Sequence, residues 1–393
     1  MGRVRLVLKS GKEKSVKRFH PWIFSGAIKT ISGNPSEGDV VDVFDNQGDF
    51  LASGHYQRGT IAVRILSFAT SNIDGEFFME RLKKAVDYRK DAGIIGSSNL
   101  NVFRLVHGEG DNLSGLIIDY YNGVAVMQCH SIGFYKIRHT IAKSVSHLLG
   151  NQIKAVYDKS STTLHSIAGV DIKDEYIIGN SEPAVVTENG FKFKIDWTTG
   201  QKTGFFIDQR DNRKLLGELS AGKKVLNMFG YTGGFSVYAM QNADLVHTVD
   251  SSATAITLAD ENIRLNFGED KRHQSFKADA FGFLNDIDDK YDLIILDPPA
   301  FAKHNNSLEN ALQGYKKLNM KAIRSIKRGG VLFTFSCSQV VSKEEFRKSV
   351  FAAAANCGRN VKIMYQLNQP LDHPINIYHP EGEYLKGLVV YVE

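Results

Sequence analysis

Cys337, in Phe335-Ser336-Cys337-Ser338, and Asp297, in Asp297-Pro298-Pro299-Ala300-Phe301, are the residues whose types and settings best suit chemistry on a flat ring. Proline removes a backbone donor and fixes φ, so Pro298-Pro299 makes a stiff shelf that presents carbonyls beside the Asp297 carboxylate. Such a shelf can hydrogen-bond the edge of an amide-like ring, with Phe301 available to stack on it. The plainer reading is a turn that only ends a strand. The acid and the apolar run Leu293–Leu296 before it favour function. A cysteine attacks as its thiolate, and its pKa starts near ~8.5, so it needs a local lowering. Cys129 and Cys357 read as small buried hydrophobes. Cys337 differs because it ends an apolar run with a hydroxyl on each side. The residues alone identify no base for it.

Three further stretches suit a nucleoside. Asn227-Met228-Phe229-Gly230-Tyr231-Thr232-Gly233-Gly234 lets backbone approach a ligand and opens a helix, without the G-x-G-x-x-G spacing of a dinucleotide fold. Asp250, followed by Ser251, stands about 20 residues on, placed to accept hydrogen bonds from two ribose hydroxyls. Asp279-Ala280-Phe281 sets an acid and an apolar flank where an adenine could lie.

These residues need a frame that brings them to one edge. After about residue 200 apolar runs alternate with helical patterns: KKVLNMF, LVHTVD, YDLIILD and VLFTFSC are strands, and a short one is expected over Phe276–Asp279. Helices are expected over Phe235–Asn242, Ser252–Phe267 and Leu308–Lys327, and from a Ser342–Glu345 capping box through Ala355. Uniformly apolar strands joined by helices mean a parallel sheet covered on both faces. In such a sheet ligands bind beyond the carboxyl ends of the strands, where strand order reverses. VKIMYQL and GLVVYVE close the chain as an expected edge hairpin. Ahead of this block, Val4–Leu66 reads as a small β domain, expected to be a barrel, with a helix over Glu76–Lys90 after it. An α+β region follows, with strands near Phe103–Val106, Leu116–Asp119, Val124–Cys129, Ala155–Tyr157 and Phe191–Ile195 and a helix over Lys136–Leu149.

The 393 residues suit two or three domains. No apolar run approaches the roughly 20 residues of a membrane span, and no secretory leader pattern opens the chain. Three scattered cysteines without a C-x-x-C pair argue against disulfides or a zinc site and for the reducing cytoplasm. Residues 1–18 carry Arg3, Arg5, Lys9, Lys12, Lys14, Lys17 and Arg18 against Glu13 alone, more positive than the whole chain at +5. That end suits a polyanion, or else a solvated basic strand edge.

Together, NMFGYTGGFS, the acid after the second strand, DPPAF and FSCSQ resemble a class I S-adenosylmethionine (SAM) methyltransferase. With KTGFFIDQRDNR, Lys202 to Arg213, the chain resembles the bacterial large-subunit ribosomal RNA cytosine-C5 methyltransferases over essentially its whole length. The resemblance implies an α/β, doubly wound, Rossmann-like catalytic domain over residues 191–393. It also implies an N-terminal PUA (RNA-binding) β-barrel over 1–75 and a central α+β domain over 76–190. SAM would lie against Asn227, Phe229, Gly230, Tyr231, Thr232 and Gly233, with Asp250 and Ser251 at its ribose and Asp279, Ala280 and Phe281 at its adenine. Phe205, Asp208, Gln209, Arg210 and Asp297 would be close to it. Asp297 and Cys337 would be catalytic, Pro298, Pro299 and Phe301 would hold the base, and Arg3, Arg5, Lys9, Lys17 and Arg18 would meet RNA. The implied partner is 23S ribosomal RNA, naked or in a pre-ribosomal particle, with a monomer or a homodimer both compatible. No metal is implied. Better-known RNA cytosine methyltransferases carry a second cysteine in the proline motif, where this chain and the resembled family have none. The base that takes the C5 proton is therefore unassigned. An amino-group methyltransferase acting on adenine or guanine ranks second, because Ala300 separates the prolines from Phe301. A nicotinamide oxidoreductase and a non-catalytic RNA-binding factor rank below it.

Overall fold

The computed structural model describes residues 2–164, 171–302 and 307–393. The chain divides into two compact units, each discontinuous in sequence. The first comprises Met1–Val186, Ile195–Ile207 and Leu371–Gly382, and the second Thr187–Lys194, Asp208–Pro370 and Glu383–Glu393.

The first unit opens with β1 (Val4–Leu8), α1 (Lys14–Lys17), β2 (Trp22–Phe24), β3 (Ile28–Ser32), β4 (Val40–Phe44), β5 (Phe50–Tyr56) and β6 (Ile61–Ser67). They form a six-stranded sheet ordered β2-β6-β5-β4-β1-β3. Alternation in Val-Arg-Leu-Val-Leu turns Leu6 and Leu8 into a core with Val41, Val43, Val63 and Ile65. Next come α2 (Gly75–Asp91), β7 (Val102–His107), β8 (Leu116–Tyr121), β9 (Val124–Cys129), α3 (Ile132–Lys136), α4 (Arg138–Leu149), β10 (Ala155–Asp158) and β11 (Glu175–Ile178). The five strands form a second sheet ordered β11-β10-β9-β8-β7.

The segment Leu371–Gly382 belongs to this unit although it lies far along the chain. Asp372 fixes it: its side chain accepts from the Arg104 amide at 2.9 Å and its carbonyl accepts from the fully buried Arg89 guanidinium at 2.7 Å. Farther on, Asn376 donates to the Glu109 carbonyl at 3.2 Å, and the His379 ring packs 4.3 Å from Trp22.

β12 (Ala184–Glu188) and β13 (Phe191–Ile195) make a two-stranded hairpin. The second unit then runs α5 (Arg210–Leu219), β14 (Lys224–Met228), α6 (Gly234–Met240), β15 (Leu245–Asp250), α7 (Ala253–Phe267), β16 (His273–Lys277), α8 (Ala280–Phe283) and β17 (Leu293–Leu296). It closes with α9 (Leu308–Ser325), β18 (Gly330–Ser336), α10 (Lys343–Cys357), β19 (Val361–Leu367) and β20 (Lys386–Val392). Its seven-stranded sheet is ordered β16-β15-β14-β17-β18-β20-β19. The first five strands pair in parallel, and β20 runs antiparallel to both β18 and β19. The order reverses between β14 and β17, which is where such a sheet opens a crevice at its carboxyl edge. Every residue of β17 and β18 is buried, as their largely apolar sequences require. α10 begins with the expected reciprocal cap between Ser342 and Glu345.

One strand differs from expectation. The third parallel strand is His273–Lys277, not Phe276–Asp279. β16 is the sheet edge, so its residues are polar and only partly covered, and the more apolar stretch after it drew the boundary too late. Asp279 lies beyond the strand, where its side chain caps α8 by accepting from the Gly282 amide at 2.7 Å.

Candidate active site

At the tip of β14 the chain turns sharply. Phe229 and Tyr231 both have positive φ, 60° and 44°, a strained arrangement for residues with a Cβ. Gly230 between them cannot be anything larger, because a Cβ there would stand 2.4 Å from the Thr248 methyl. Gly233, at φ 74°, leads into α6 and packs against Ala259. The loop is held in place: the Gly230 amide donates to the Val249 carbonyl at 3.0 Å and Asn262 donates to the Thr232 carbonyl at 2.9 Å. Asn227 donates to Ser236 at 2.9 Å, while its Oδ1 is buried without a hydrogen-bond partner.

The neighbouring tip supplies Asp250, whose two carboxylate oxygens accept from the Tyr231 amide at 3.0 Å and the Ser252 amide at 2.9 Å. Ser252 is the cap of α7, and Ser251 is exposed beside it. Asp279 is exposed, Ala280 buried and Phe281 half-buried. The expected acids and glycines of the first three tips thus belong to one edge of one sheet.

β17 and β18 are adjacent and parallel, so the proline shelf and the cysteine emerge side by side. Cys337 is half-buried, with Sγ 4.0 Å from the Pro298 carbonyl, to which a thiol can donate. Pro298 is buried and Pro299 exposed. The Phe301 ring lies 4.6 Å from that of Tyr315 on α9, tilted by 35°, so one face of the expected stacking ring is already engaged. Tyr315 is fully buried and shares a hydrogen bond with the Ser338 hydroxyl at 2.9 Å. Burial pushes its phenol pKa up against hydrogen bonds to Ser336 and Ser338.

Asp297, at the start of the shelf, accepts from Gln209 at 3.1 Å, and Gln209 in turn accepts from Asn212 at 2.6 Å. Asp208 accepts from the Tyr384 hydroxyl at 2.7 Å. Gln209 thereby reaches the fourth tip. Arg210 is buried and pairs with Asp211 at 3.4 Å. Phe205 is buried within the first unit.

Of the basic residues in that unit, Arg3 pairs with Asp42 at 3.2 Å and Lys17 with Asp45 at 2.9 Å. The Arg5 guanidinium lies 3.9 Å over the Phe44 ring, and Lys9 donates to the Gly26 carbonyl at 2.9 Å. Arg18 is exposed.

Reading the sequence missed Tyr315, Tyr384 and Lys386. Lys386 begins β20 opposite Ser336, is buried, and donates to the Ser338 carbonyl at 2.6 Å. Its signal was a charge directly before the apolar run Gly387–Val392. Tyr315 had no signal beyond helical spacing.

A parallel sheet reversing at β14 and β17, with a glycine turn and acid on one side and a proline shelf on the other, defines a SAM-dependent methyltransferase. Residues 103–374 match the S-adenosylmethionine-dependent methyltransferase family, and residues 6–68 a PUA-like domain. The chain belongs to the ribosomal RNA large subunit methyltransferase I family. It is 39% identical to that enzyme of Alteromonas mediterranea over 392 residues, covering 98% of each chain. It is equally identical to that of Aeromonas salmonicida over 395 residues, covering 98% of this chain and 99% of the relative. Among solved structures, a Streptococcus mutans protein assigned as a SAM-dependent methyltransferase superposes with a TM-score of 0.85 at 22% identity, covering 99% of this chain and all of its own. Another structure, assigned as a methyltransferase and complexed with S-adenosylhomocysteine, gives 0.86 at 23% identity with the same coverage.

The cofactor is SAM. The residues present fit it. The turn at Gly230 leaves no Cβ in the way, the buried Asn227 Oδ1 offers an unused acceptor, and the Asp250 carboxylate keeps lone pairs beyond the two amides that orient it.

Proposed function

We propose that the protein methylates C5 of a cytosine in large-subunit (23S) ribosomal RNA, with Cys337 as nucleophile. The reading rests on one observation above all: the Cys337 sulfur and the Pro298 carbonyl stand together at adjacent strand tips beyond the switch point. The names of the full-length relatives support a large-subunit ribosomal RNA substrate, and the PUA-like match supports RNA binding by the first strands. Such a substrate would place the protein in the cytoplasm. No helix among the described residues is long and apolar enough to cross a membrane.

SAM supplies an electrophilic methyl group on a sulfonium. C5 of cytosine is too poor a nucleophile to take it directly. The Cys337 thiolate adds to C6, and the ring electrons move to C5. C5 then forms the new C–C bond to the methyl group as the methyl–sulfonium bond breaks, its electron pair staying on the departing thioether, S-adenosylhomocysteine. Loss of the C5 proton to a base returns those electrons, the C6–S bond breaks, and the thiolate is regenerated. Asp297, held by Gln209, shares a proton with N3 of the ring and so stabilises the charge that develops there. Pro298, Pro299 and Phe301 form the shelf and wall for the base. A base within a stem must first leave its stack, which favours a loop or incompletely folded RNA. In the same reading Asn227, Phe229 to Gly233, Asp250 with Ser251, and Asp279 to Phe281 hold the cofactor, with Asp208, Gln209 and Arg210 behind it.

Ribosomal RNA from cells lacking the protein, incubated with labelled SAM and digested to nucleosides, tests this. Label is expected in 5-methylcytidine. Label in a methylated adenosine or guanosine would overturn the reading and leave the shelf to bind an amino-bearing ring without help from Cys337.

A further inference from the structure

The two tips that the proposed reaction needs together, the shelf after β17 and the cysteine after β18, are joined through α9. Tyr315 is fully buried on that helix, and its hydroxyl shares a hydrogen bond with Ser338 Oγ at 2.9 Å. The same phenol engages Ser336 and the backbone of Phe301. It therefore reaches the residue on each side of Cys337 and the shelf at once. Its ring lies 4.6 Å from that of Phe301 and meets the Phe346 ring edge-on at 5.4 Å. Gly314 makes room for the first of these contacts, since a Cβ there would stand 3.0 Å from the Phe301 ring.

Ser338 is the other half of the junction. Its hydroxyl also accepts from the Ala302 amide at 3.3 Å, directly after Phe301. Its carbonyl accepts from the Lys386 ammonium at 2.6 Å and from the Val341 amide at 3.1 Å, and its own amide donates to Ser336 Oγ at 3.4 Å. Ser336, Ser338 and Ala302 are all buried. Held through hydroxyl, carbonyl and amide, Ser338 has no freedom to shift alone. The backbone that follows Cys337 moves only if the end of the shelf moves with it. Buried polar groups need partners whatever a site does. Here, though, the partners tie together two separate strand tips, and hydrogen bonds fix distance and direction where apolar packing would not.

We infer that Tyr315 and Ser338 are positioning residues that lock the shelf and the cysteine tip together, setting the reach from the sulfur to the ring held on the shelf. The inference rests on the roles proposed for Cys337 and for the shelf. It makes no demand on SAM, whose expected contacts lie at the tips of β14 and β15. Misplacing reacting groups by about 1 Å can slow a reaction about 100-fold, so loss of this junction belongs to the chemical step and not to binding.

Full-length Tyr315→Phe keeps the ring against Phe301 and Phe346 and loses the hydroxyl. Methyl transfer is followed in a single turnover, with enzyme in excess over ribosomal RNA from cells lacking the protein, and total label is counted whichever nucleoside receives it. The rate should fall about tenfold or more, while SAM affinity by calorimetry and the RNA dependence of the rate stay within about twofold. Ser338→Ala should give a similar loss. The double variant should lose no more than the worse of the two, because both substitutions break one junction. Tyr291→Phe is the control for stability. It deletes another fully buried phenol, bonded to His247 at 2.6 Å, at the amino end of β17 and so at the far end of the strand from the shelf. It should lower the denaturant midpoint as Tyr315→Phe does and leave the rate unchanged. Should Tyr315→Phe not fold, Ser338→Ala carries the same comparison. An unchanged rate in the folded variant, or losses that multiply in the double variant, overturns the inference. Cys337→Ala, run alongside, reads the nucleophile separately: turnover that survives it removes the covalent step, whereas the junction stands or falls by the hydroxyl variants.

Discussion

Cys337 follows the last residue of β18, with its sulfur 4.0 Å from the Pro298 carbonyl at the neighbouring tip. Its truncation separates binding from chemistry. Cys337→Ala should bind SAM as the parent does, because the glycine turn and Asp250 belong to other strands. It should lose turnover by orders of magnitude, since no other thiol stands at this edge. Calorimetry with SAM and a methyl-transfer assay check the two halves, and near-normal turnover would remove covalent catalysis from the account. The pair Asp297 and Cys337 was legible in the sequence because a strand tip announces itself as an apolar run that stops at polar residues. Lys386 was not, because a single lysine before Gly387-Leu388-Val389-Val390 looks like the solvated start of a strand. Only the pairing of β20 inside the sheet, against β18, turns that lysine inward.

At the scale of elements, the carboxyl edge of the second unit depends on how tightly β14 can turn. Gly230→Ala would force a methyl against Thr248 in a loop already strained at Phe229 and Tyr231. It should weaken SAM binding at least tenfold, a loss of about 1.4 kcal/mol or more, while Tyr231→Ala disturbs the fold less. Equal SAM affinity in Gly230→Ala would mean that the loop has slack. The parallel strands were readable because burial on both faces leaves no polar alternation to confuse them. Edges were harder. β16 has polar faces and was placed late, and β11 and β12, each only partly covered, gave no strand signal at all. α5 was hidden for another reason: its first turn carries the residues Arg210 to Arg213, which read as site before they read as helix.

Across the whole molecule, acid attacks both units through buried imidazoles. His55 in the first unit is stacked on Phe78 and edge-on to Phe134, and burial holds its pKa at about 4. In the second, burial brings His247, bonded to Tyr291, to about 4 as well. These values lie below the ordinary 6.5, so on acidification the unfolded chain takes up protons first. Stability is therefore full above about pH 6.5 and falls as pH drops toward about 4, by up to about 3 kcal/mol from His55 alone. Denaturant midpoints at about pH 7.5 and about pH 5 should show the loss, and His55→Phe should reduce it. Midpoints that do not move with pH would mean these rings accept protons in place.

The excursion of Leu371–Gly382 has a consequence for the order of events in the cell. A ribosome delivers the chain from its amino end, and domains ordinarily fold as they emerge. Here Arg89 and Arg104 are made early, whereas Asp372, which accepts from both, is made only after nearly all of the second unit. The nascent first unit can pair Arg89 with Asp111 at once, but it lacks the Asp372 acceptors until the last tenth of the chain appears. Completion of the first unit's packing is thereby timed to follow synthesis of nearly all of the second.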